Sequence, residues 1–176
     1  MHQIKKARII SRTLNKIYPK TPIPLKHTNR FTLLVSVLLS AQCTDVNVNN
    51  VTKNIYDKYN KPEHFFKLGR KKIERLIKKI GIFRIKAKSI YFLSKQLIEN
   101  HKSKVPSTFE ELEKLPGVGH KTAGVVISQG FGLPAFPVDT HIHRLAQRWG
   151  LTNGKNVVQT EKDLKQLFPE KCWNKL

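Results

Sequence analysis

The sequence predicts an all-α protein, and three observations carry that prediction. Apolar residues recur with the spacing of a helix in nearly every segment of the 176-residue chain. No stretch alternates apolar and polar residues for long enough to indicate a strand. Nine glycines and nine prolines are scattered, so no flexible linker is evident, and a 39% apolar share can build a core in one compact domain or two small lobes.

The N-terminal segment predicts a basic amphipathic helix. Its apolar residues share one helical face, with Lys and Arg on the other: Ile4, Ile9, Ile10, Leu14 and Ile17. Such a helix could lie on a membrane, but docking on a protein core is the favoured interpretation. The segment has no continuous apolar core of signal-peptide length, and no stretch of the chain reaches the ~18 apolar residues that span a bilayer.

The next helices follow with short loops between them. Residues 31–41 are apolar almost all round, which predicts a central buried helix with Thr28 or Asn29 as its cap. A helix at 71–80 is expected to stop at Gly81. Further helices are predicted at about 46–59, 86–100, 108–115, 120–130, 140–150 and 157–167.

The charge of the chain implies a polyanionic partner. Lys and Arg number 33 against 12 Asp and Glu, which gives a formal net charge of +21. Charge of one sign at this density repels itself in a compact protein, so DNA, RNA or an anionic membrane is the expected counterpart. Composition alone does not choose among the three, and the excess of Lys over Arg also fits an AT-rich genome.

The two cysteines, Cys43 and Cys172, provide neither a disulfide framework nor a four-ligand metal site. Cys43 lies in an apolar helical stretch and is interpreted as a small buried residue. This cysteine usage indicates a reducing compartment.

The stretch LPGVGHKTA, residues 115–123, predicts a helix, a Gly-Val-Gly turn and a second helix. Ser107 or Thr108, followed three residues later by a glutamate, would cap the first helix. The glycines allow positive φ angles and close approach of backbone N–H groups to an anion, and the second helix begins where its dipole favours a phosphate. Such a hairpin binds a nucleic-acid backbone without reading sequence; the alternative is an ordinary corner between two helices.

Lys121 stands at the start of that second helix, where the dipole disfavours a cation. A phosphate contact would explain its position. The alternative is chemistry, because the positive helix end and partial burial both favour the neutral amine. A neutral lysine amine is a nucleophile that can form a Schiff base.

Asp139 directly precedes another predicted helix, in VDTHIHR. It suits an N-cap, and that is the structural interpretation. The functional interpretation is a carboxylate near Lys121 that stabilises positive charge at a sugar C1′ or helps to deprotonate the lysine. Capping would fix the geometry of the carboxylate, so the two interpretations are compatible, but spacing alone does not show that the pair meet.

Four stretches together resemble the endonuclease III branch of the helix-hairpin-helix DNA glycosylases: LPGVGHKTAGVV, VDTHIHR, LLSAQCTDVNVN and IGIFRIKAKSI. The hairpin alone is less specific, because it also occurs in ligases and polymerases. The resemblance runs along the whole chain and implies the two-lobed helical fold of that branch. It divides the chain into a central lobe at 23–133, with the hairpin near 108–130, and a discontinuous second lobe at 1–22 and 134–176.

The resemblance also implies a mechanism. A damaged base, usually an oxidised pyrimidine, is flipped out of the duplex into a cleft between the lobes. Lys121 attacks C1′, expels the base and forms a Schiff base, and β-elimination then nicks the strand, with Asp139 assisting. A lysine at this position separates the chain from adenine-specific relatives. The alternative is a non-catalytic helix-hairpin-helix DNA-binding remnant.

The resemblance places further residues against DNA. Gln42 matches the residue that fills the space left by the extruded base, and Ile82 stands where a leucine usually wedges between bases of the opposite strand. Phe83 and Arg84 would add stacking and phosphate contacts. The hairpin contacts are expected from Gly117, Val118, Gly119, His120 and Thr122. Pocket residues are expected at Ser40, Thr44, Asp45 and His141, with packing or capping as the alternative for each, while His143 and Arg144 are expected at the surface or on a phosphate.

The family continues past the end of this sequence with four closely spaced cysteines that hold a [4Fe–4S] cluster. Neither Cys43 nor Cys172 belongs to that quartet, so no cluster or other metal is expected within residues 1–176. The sequence stops before the motif, and three explanations stay open: a fragment, a truncated gene, or a second lobe that forms without the cluster. The expected partner is damaged double-stranded DNA, bound by a monomer without a membrane. The expected location is the bacterial cytoplasm, in association with the nucleoid.

Overall fold

The computed structural model describes residues 2–175, with side chains described from Gln3 to Lys175. Over those residues it contains α-helices, one π-helical turn and one 3₁₀ helix, and no strand, so the all-α prediction is confirmed. The helices are α1 His2–Ile17, α2 Arg30–Ser40, α3 Asp45–Tyr56, α4 Pro62–Leu68, α5 Arg70–Leu76, α6 Phe83–His101, α7 Phe109–Glu113, α8 His120–Val125, the π-helical turn Val126–Gly130, α9 Thr140–Arg148, α10 Val157–Leu167 and the 3₁₀ helix Glu170–Lys175.

Contacts between Cα atoms divide the chain into two compact units. One unit comprises residues 23–126 and contains helices α2 to α8. The other joins residues 1–22 to residues 127–176 and contains α1, α9 and α10. The lobes drawn from the sequence, with their boundary at residue 133, stay a prediction.

Helix α2 lies at the centre of the unit formed by residues 23–126. All nine residues from Phe31 to Leu39 are buried, which agrees with an apolar stretch that has no polar face. Asn29 caps the helix: its side chain accepts a hydrogen bond from the Thr32 backbone, and the Thr32 hydroxyl accepts one from the Asn29 backbone. This reciprocal pair satisfies two donors at the helix start and selects Asn29 from the two predicted caps.

The second unit has its own apolar core. Its buried members are Ala7, Phe136, Val138, Ala146, Leu151, Leu164 and Phe168. Helix α1 contributes Ala7 and packs Ile10 against the cluster, so its docking on a protein core is confirmed. The predicted apolar face was too wide, because Ile4, Ile9 and Ile17 are 47–63% exposed. None of the helices between residues 2 and 175 is long and apolar enough to cross a membrane.

Three local expectations were wrong. Helix α4 was missed, because seven residues with only Pro62 and Phe65 buried give no helical period. Helix α5 ends at Leu76, five residues before Gly81, because the chain turns there to bury Ile77 and Ile80. Val46, the first apolar residue of the helix predicted at 46–59, should face the core, whereas its side chain is 70% exposed.

Candidate nucleic-acid interface

The hairpin consists of α7, a turn and α8, as the sequence predicts. Thr108 caps α7: its hydroxyl accepts a hydrogen bond from the Glu111 backbone and donates one to the Glu111 carboxylate. Leu112 and Leu115 are buried and anchor the first half of the hairpin in the core. The turn is therefore held by its flanks.

The two glycines of the turn have different conformations. Gly117 has φ of +81°, and a Cβ added there would lie 2.7 Å from Cβ of Ser89 and 3.1 Å from Cδ1 of Leu38. Gly119 has φ of −97°, and an added Cβ would meet no atom within 4 Å. The expectation of positive φ is confirmed for Gly117 and wrong for Gly119. Open space beside the backbone at Gly119 is what close approach of a phosphate requires.

The other residues of the turn divide between core and surface. The side chain of Val118 is buried, and its backbone N–H donates to the carbonyl of Leu115 at 3.1 Å, so neither group faces outward. His120 is exposed, stacks on Phe109 with ring centroids 4.7 Å apart, and lies 2.6 Å from a carboxylate oxygen of Glu113. These contacts of His120 tie the start of α8 to α7. Because Val118 is buried, it supports the hairpin from inside, and its expected contact with DNA stays a prediction.

Lys121 is the second residue of α8, and its side chain is exposed. The expectation of partial burial is therefore wrong, because the first turn of α8 lies at the surface of its unit. Thr122, the next residue, is half-buried. The exposed amine of Lys121 lies within two residues of the open backbone at Gly119, where a DNA strand could reach both.

Asp139 caps α9, which confirms its structural interpretation. One carboxylate oxygen accepts hydrogen bonds from the backbone N–H groups of His141 at 3.0 Å and Ile142 at 2.8 Å. The side chain is half-buried and fixed by these two bonds. Asp139 belongs to the unit of residues 127–176 and Lys121 to the unit of residues 23–126, so their expected pairing stays a prediction.

Two exposed loops of the unit at 23–126 lie against each other and carry Gln42 and Ile82. The carbonyl oxygen of Gln42 would be 3.5 Å from a Cβ added at Gly81. Gln42 and Ile82 both have positive φ, +54° and +52°, without being glycine. This conformation costs a β-branched residue roughly 1–2 kcal/mol, and such strain concentrates at functional sites. Ile82 is 49% exposed, so the strained backbone holds an apolar side chain in solvent.

The residues that follow or flank these loops have structural partners. Phe83 begins α6, and the Arg84 guanidinium lies 5.3 Å from the centre of its ring. Ser40 ends α2 and donates its hydroxyl proton to the Val37 carbonyl. Thr44 caps α3 by accepting from the Asn47 backbone, and the half-buried Asp45 opens the helix, where a carboxylate suits the dipole. The capping interpretation is confirmed for Thr44, and contact with a substrate stays a prediction for all five residues.

The two histidines of α9, His141 and His143, have different environments. His141 is exposed, and Arg144 approaches its ring nitrogen at 3.4 Å. His143 is half-buried and hydrogen-bonded at 2.7 Å to the hydroxyl of the buried Thr160, and its expected place at the surface or on a phosphate stays a prediction. His143 packs α9 against α10, and His141 remains available to a ligand.

One buried cation was missed by the sequence analysis. Lys86 is 5% exposed, and its ammonium group donates to the backbone carbonyls of Leu39 and Ala41. The signal was present in the sequence, because Lys86 falls on the helical face of α6 that also carries Ile90, Leu93 and Leu97. A cation on an apolar face at helical spacing indicates either a snorkelling side chain or a buried hydrogen-bond donor.

The residues described do not fit an iron–sulfur cluster. Among residues 2–175 no three His, Cys, Asp or Glu side chains are grouped so that they could hold a metal ion. Cys43 and Cys172 are both half-buried thiols, in different units. Cys43 accepts a hydrogen bond from the side chain of Asn47, a structural role for a thiol. The interpretation of Cys43 as a small buried residue is therefore wrong, since it is only half-buried.

Comparison with known proteins adds three findings. Residues 35–170 match the profile of the HhH-GPD superfamily of base excision DNA repair proteins. The chain is 45% identical over 165 residues to the endonuclease III of Rickettsia prowazekii, covering 90% of this chain and 78% of that protein. It is 42% identical over 175 residues to the endonuclease III of Bacillus subtilis, covering 99% of this chain and 80% of that protein.

Two solved structures share the fold at 40% identity and a TM-score of 0.93. One is a non-covalent endonuclease III–DNA complex, and the match covers 97% of this chain and 80% of that one. The other is a trapped covalent endonuclease III–DNA intermediate described as an estranged-adenine complex, and the match covers 97% and 81%.

Proposed function

This chain belongs to the endonuclease III family within the HhH-GPD superfamily of base excision DNA repair proteins, and we propose that Lys121 is the nucleophile of its reaction. The chain is a DNA glycosylase and abasic-site lyase of base excision repair. Its proposed substrates are oxidised pyrimidines in duplex DNA. The observation that carries the assignment of Lys121 is its exposed position at the start of α8, beside the open backbone of Gly119.

In the proposed reaction the neutral amine of Lys121 bonds to C1′ of the damaged nucleotide. The bond between C1′ and the base breaks, and the base leaves with a proton. Opening of the sugar ring, in which O4′ takes up a proton, gives an iminium ion between C1′ and Lys121. A base then removes a proton from C2′, and the C3′–O bond breaks, so that the downstream strand leaves with a 5′ phosphate. Asp139 is proposed to stabilise the positive charge that develops at C1′.

The two strained loop residues are proposed to hold the duplex open. Gln42 would occupy the space that the extruded nucleotide leaves, and Ile82 would insert between bases of the opposite strand. Both side chains are exposed on adjacent loops, which supports simultaneous insertion. An apolar wedge offsets part of the cost of unstacking the bases.

The hairpin is proposed to hold the DNA backbone without reading its sequence. Gly119 gives a phosphate room to approach backbone amides, and α8 begins there with the positive end of its dipole. The net charge of +21 supplies a general attraction that weakens as salt rises. The partner is proposed to be damaged double-stranded DNA bound by a monomer without a membrane, in the bacterial cytoplasm and at the nucleoid. No step is routed through an iron–sulfur cluster, since the described residues do not fit one.

Borohydride trapping tests the assignment of Lys121. The reagent reduces the iminium to a stable amine, so a duplex with one abasic site should become covalently joined to the wild-type protein. Lys121→Ala and Lys121→Arg should each reduce the adduct at least about a thousandfold while still binding the duplex. The arginine variant is the matched control, because it keeps the cation and removes the nucleophile.

An adduct that persists in both variants would refute Lys121 as the nucleophile. Retention of the duplex by the wild type with no adduct at all would identify a DNA-binding remnant instead of an enzyme.

A further inference from the structure

Lys86 is a buried cation that the proposed reaction does not use. Its side chain is 5% exposed, on the face of α6 that carries the fully buried Ile90, Leu93 and Leu97. Burial lowers the pKa of the Lys86 ammonium group, because the charged form loses its hydration. A lysine in such a place requires strong hydrogen bonds to be tolerated.

Those hydrogen bonds all go to one place, the C-terminal end of α2. The Lys86 ammonium donates to the carbonyl of Leu39 at 2.9 Å and to the carbonyl of Ala41 at 2.6 Å. Carbonyls at the end of a helix have no donor within the helix, and the negative end of the dipole favours a cation. Lys86 therefore caps α2 from a different helix, 45 residues further along the chain.

The capped end of α2 is the base of the Gln42 loop, which we define as residues 41–44. Ala41 directly precedes Gln42, and the Lys86 bond holds its carbonyl where the chain turns to positive φ. A side chain that fixes this carbonyl also fixes the direction in which the Gln42 side chain leaves the loop.

The same residue is linked to the Ile82 turn, which we define as residues 81–82. The backbone N–H of Lys86 donates to the carbonyl of Ile82 at 3.2 Å, so the two residues lie one helical turn apart. Asn47 provides a second connection, because its side-chain amide donates both to the Cys43 thiol and to the carbonyl of Lys79. Lys86 therefore joins the Gln42 loop to the Ile82 turn, and Asn47 joins the same loop to Lys79, two residues before that turn.

We propose that Lys86 is a positioning residue that holds the Gln42 loop and the Ile82 turn in one arrangement, so that both side chains enter the duplex together. The proposal rests on the proposed roles of Gln42 and Ile82 in opening DNA. Loss of the ammonium group would leave the Leu39 and Ala41 carbonyls without a donor, and the two loops could then move independently. Insertion would become less effective, although Lys121 and its chemistry would be intact.

The experiment measures the opening of DNA directly. A duplex carries 2-aminopurine opposite a tetrahydrofuran abasic analogue, and fluorescence rises when the 2-aminopurine is unstacked. Protein is added to saturation, so the plateau reports the distortion in the complex and not the affinity. Lys86→Met should reduce the plateau to less than half of the wild-type rise. Lys88→Met, the matched control on the exposed side of α6, should leave it unchanged.

A role in stability alone predicts a different result. Lys86→Met would then lower the melting temperature measured by circular dichroism, but the bound and folded protein would give the wild-type plateau, which would overturn the proposal. Adding Lys86→Met to the double variant Gln42→Ala/Ile82→Ala should cause little further loss, because Lys86 acts through those two side chains. If Lys86→Met does not fold, Lys86→Gln, which keeps a donor but not the charge, is measured in its place. Failure of both to fold would assign Lys86 to stability and would also overturn the proposal.

Borohydride trapping of the wild type separates this proposal from the proposed function. An adduct without any rise in fluorescence would refute insertion, and with it the role of Lys86, while leaving Lys121 in place. Absence of both would refute the proposed function itself.

Discussion

Gly117 and Gly119 lie two residues apart in one turn, yet the structure uses them for opposite purposes. Gly117 has a left-handed conformation and is closed in by Ser89 and Leu38 of its own unit. Gly119 has an extended conformation and faces open space. The first glycine is required by packing inside the protein, whereas among the described residues nothing closes in on the second, which serves as the N-cap of α8. Room beside a glycine backbone suits an external partner that must approach closely.

The largest effect on stability is expected from Gly117→Ala. The substitution places a methyl group 2.7 Å from Cβ of Ser89 and forces a non-glycine residue to φ of +81°. The free energy of unfolding should fall by about 3 kcal/mol, from the left-handed conformation and overpacking together. Urea denaturation followed by circular dichroism measures the change.

Gly132→Ala is the matched control for Gly117→Ala. Gly132 has a similar φ of +68° where the π-helical turn ends, but an added Cβ would meet nothing among the described residues within 4 Å. It should therefore cost only about 1 kcal/mol, the backbone part of the effect. Equal losses at the two positions would show that the contacts with Ser89 and Leu38 do not matter.

Gly119→Ala should weaken DNA binding more than it weakens the fold, the reverse of Gly117→Ala. The free energy of unfolding should fall by at most about 1 kcal/mol, because negative φ suits alanine and the loss is confined to the N-cap of α8, where glycine is preferred to alanine. Affinity for a duplex should fall about fivefold to tenfold, since a methyl group would keep a phosphate away from the backbone amides. Fluorescence anisotropy with a labelled duplex at fixed salt measures the affinity, with Gly132→Ala as the variant expected to bind normally. Unchanged affinity would remove the hairpin backbone from the proposed interface.

The sequence could predict features that depend on neighbouring residues, but not features that depend on contacts between distant parts of the chain. Periodicity predicted the central helix, because a helical face depends on residues three or four positions apart. Local chemistry predicted Asp139 as a cap and narrowed two other caps to neighbouring pairs that contain Asn29 and Thr108, because a cap depends on residues two or three positions apart. The burial of Lys86 was not predicted, because its partners are the carbonyls of Leu39 and Ala41, far away in the sequence. Such contacts are set by how helices pack and leave little trace in local spacing.

Backbone conformation at the interface was also beyond the sequence. The glycines suggested positive φ at both 117 and 119, and only one has it. Conversely, the sequence gives no sign that Ile82 has a left-handed conformation, because β-branched residues rarely adopt that conformation. The candidate residues of the interface came from motifs, but the strain and the open space that support them came from the structure.

The smallest expected effect is a change in the free energy of unfolding at Ile82, where glycine should be more stable than alanine, the reverse of the usual order. At an ordinary helical position alanine is more stable than glycine by about 1 kcal/mol. At Ile82, with φ of +52°, alanine keeps the strain and glycine relieves it, so Ile82→Gly should be the more stable variant by about 1 kcal/mol. Ile85, exposed within α6, is the control at which Ile85→Ala should exceed Ile85→Gly. Urea denaturation of the four variants gives both differences. If alanine were more stable than glycine at both positions, the Ile82 backbone would not be strained. Strain at Ile82 would then no longer distinguish residues that serve DNA binding from residues that serve the fold.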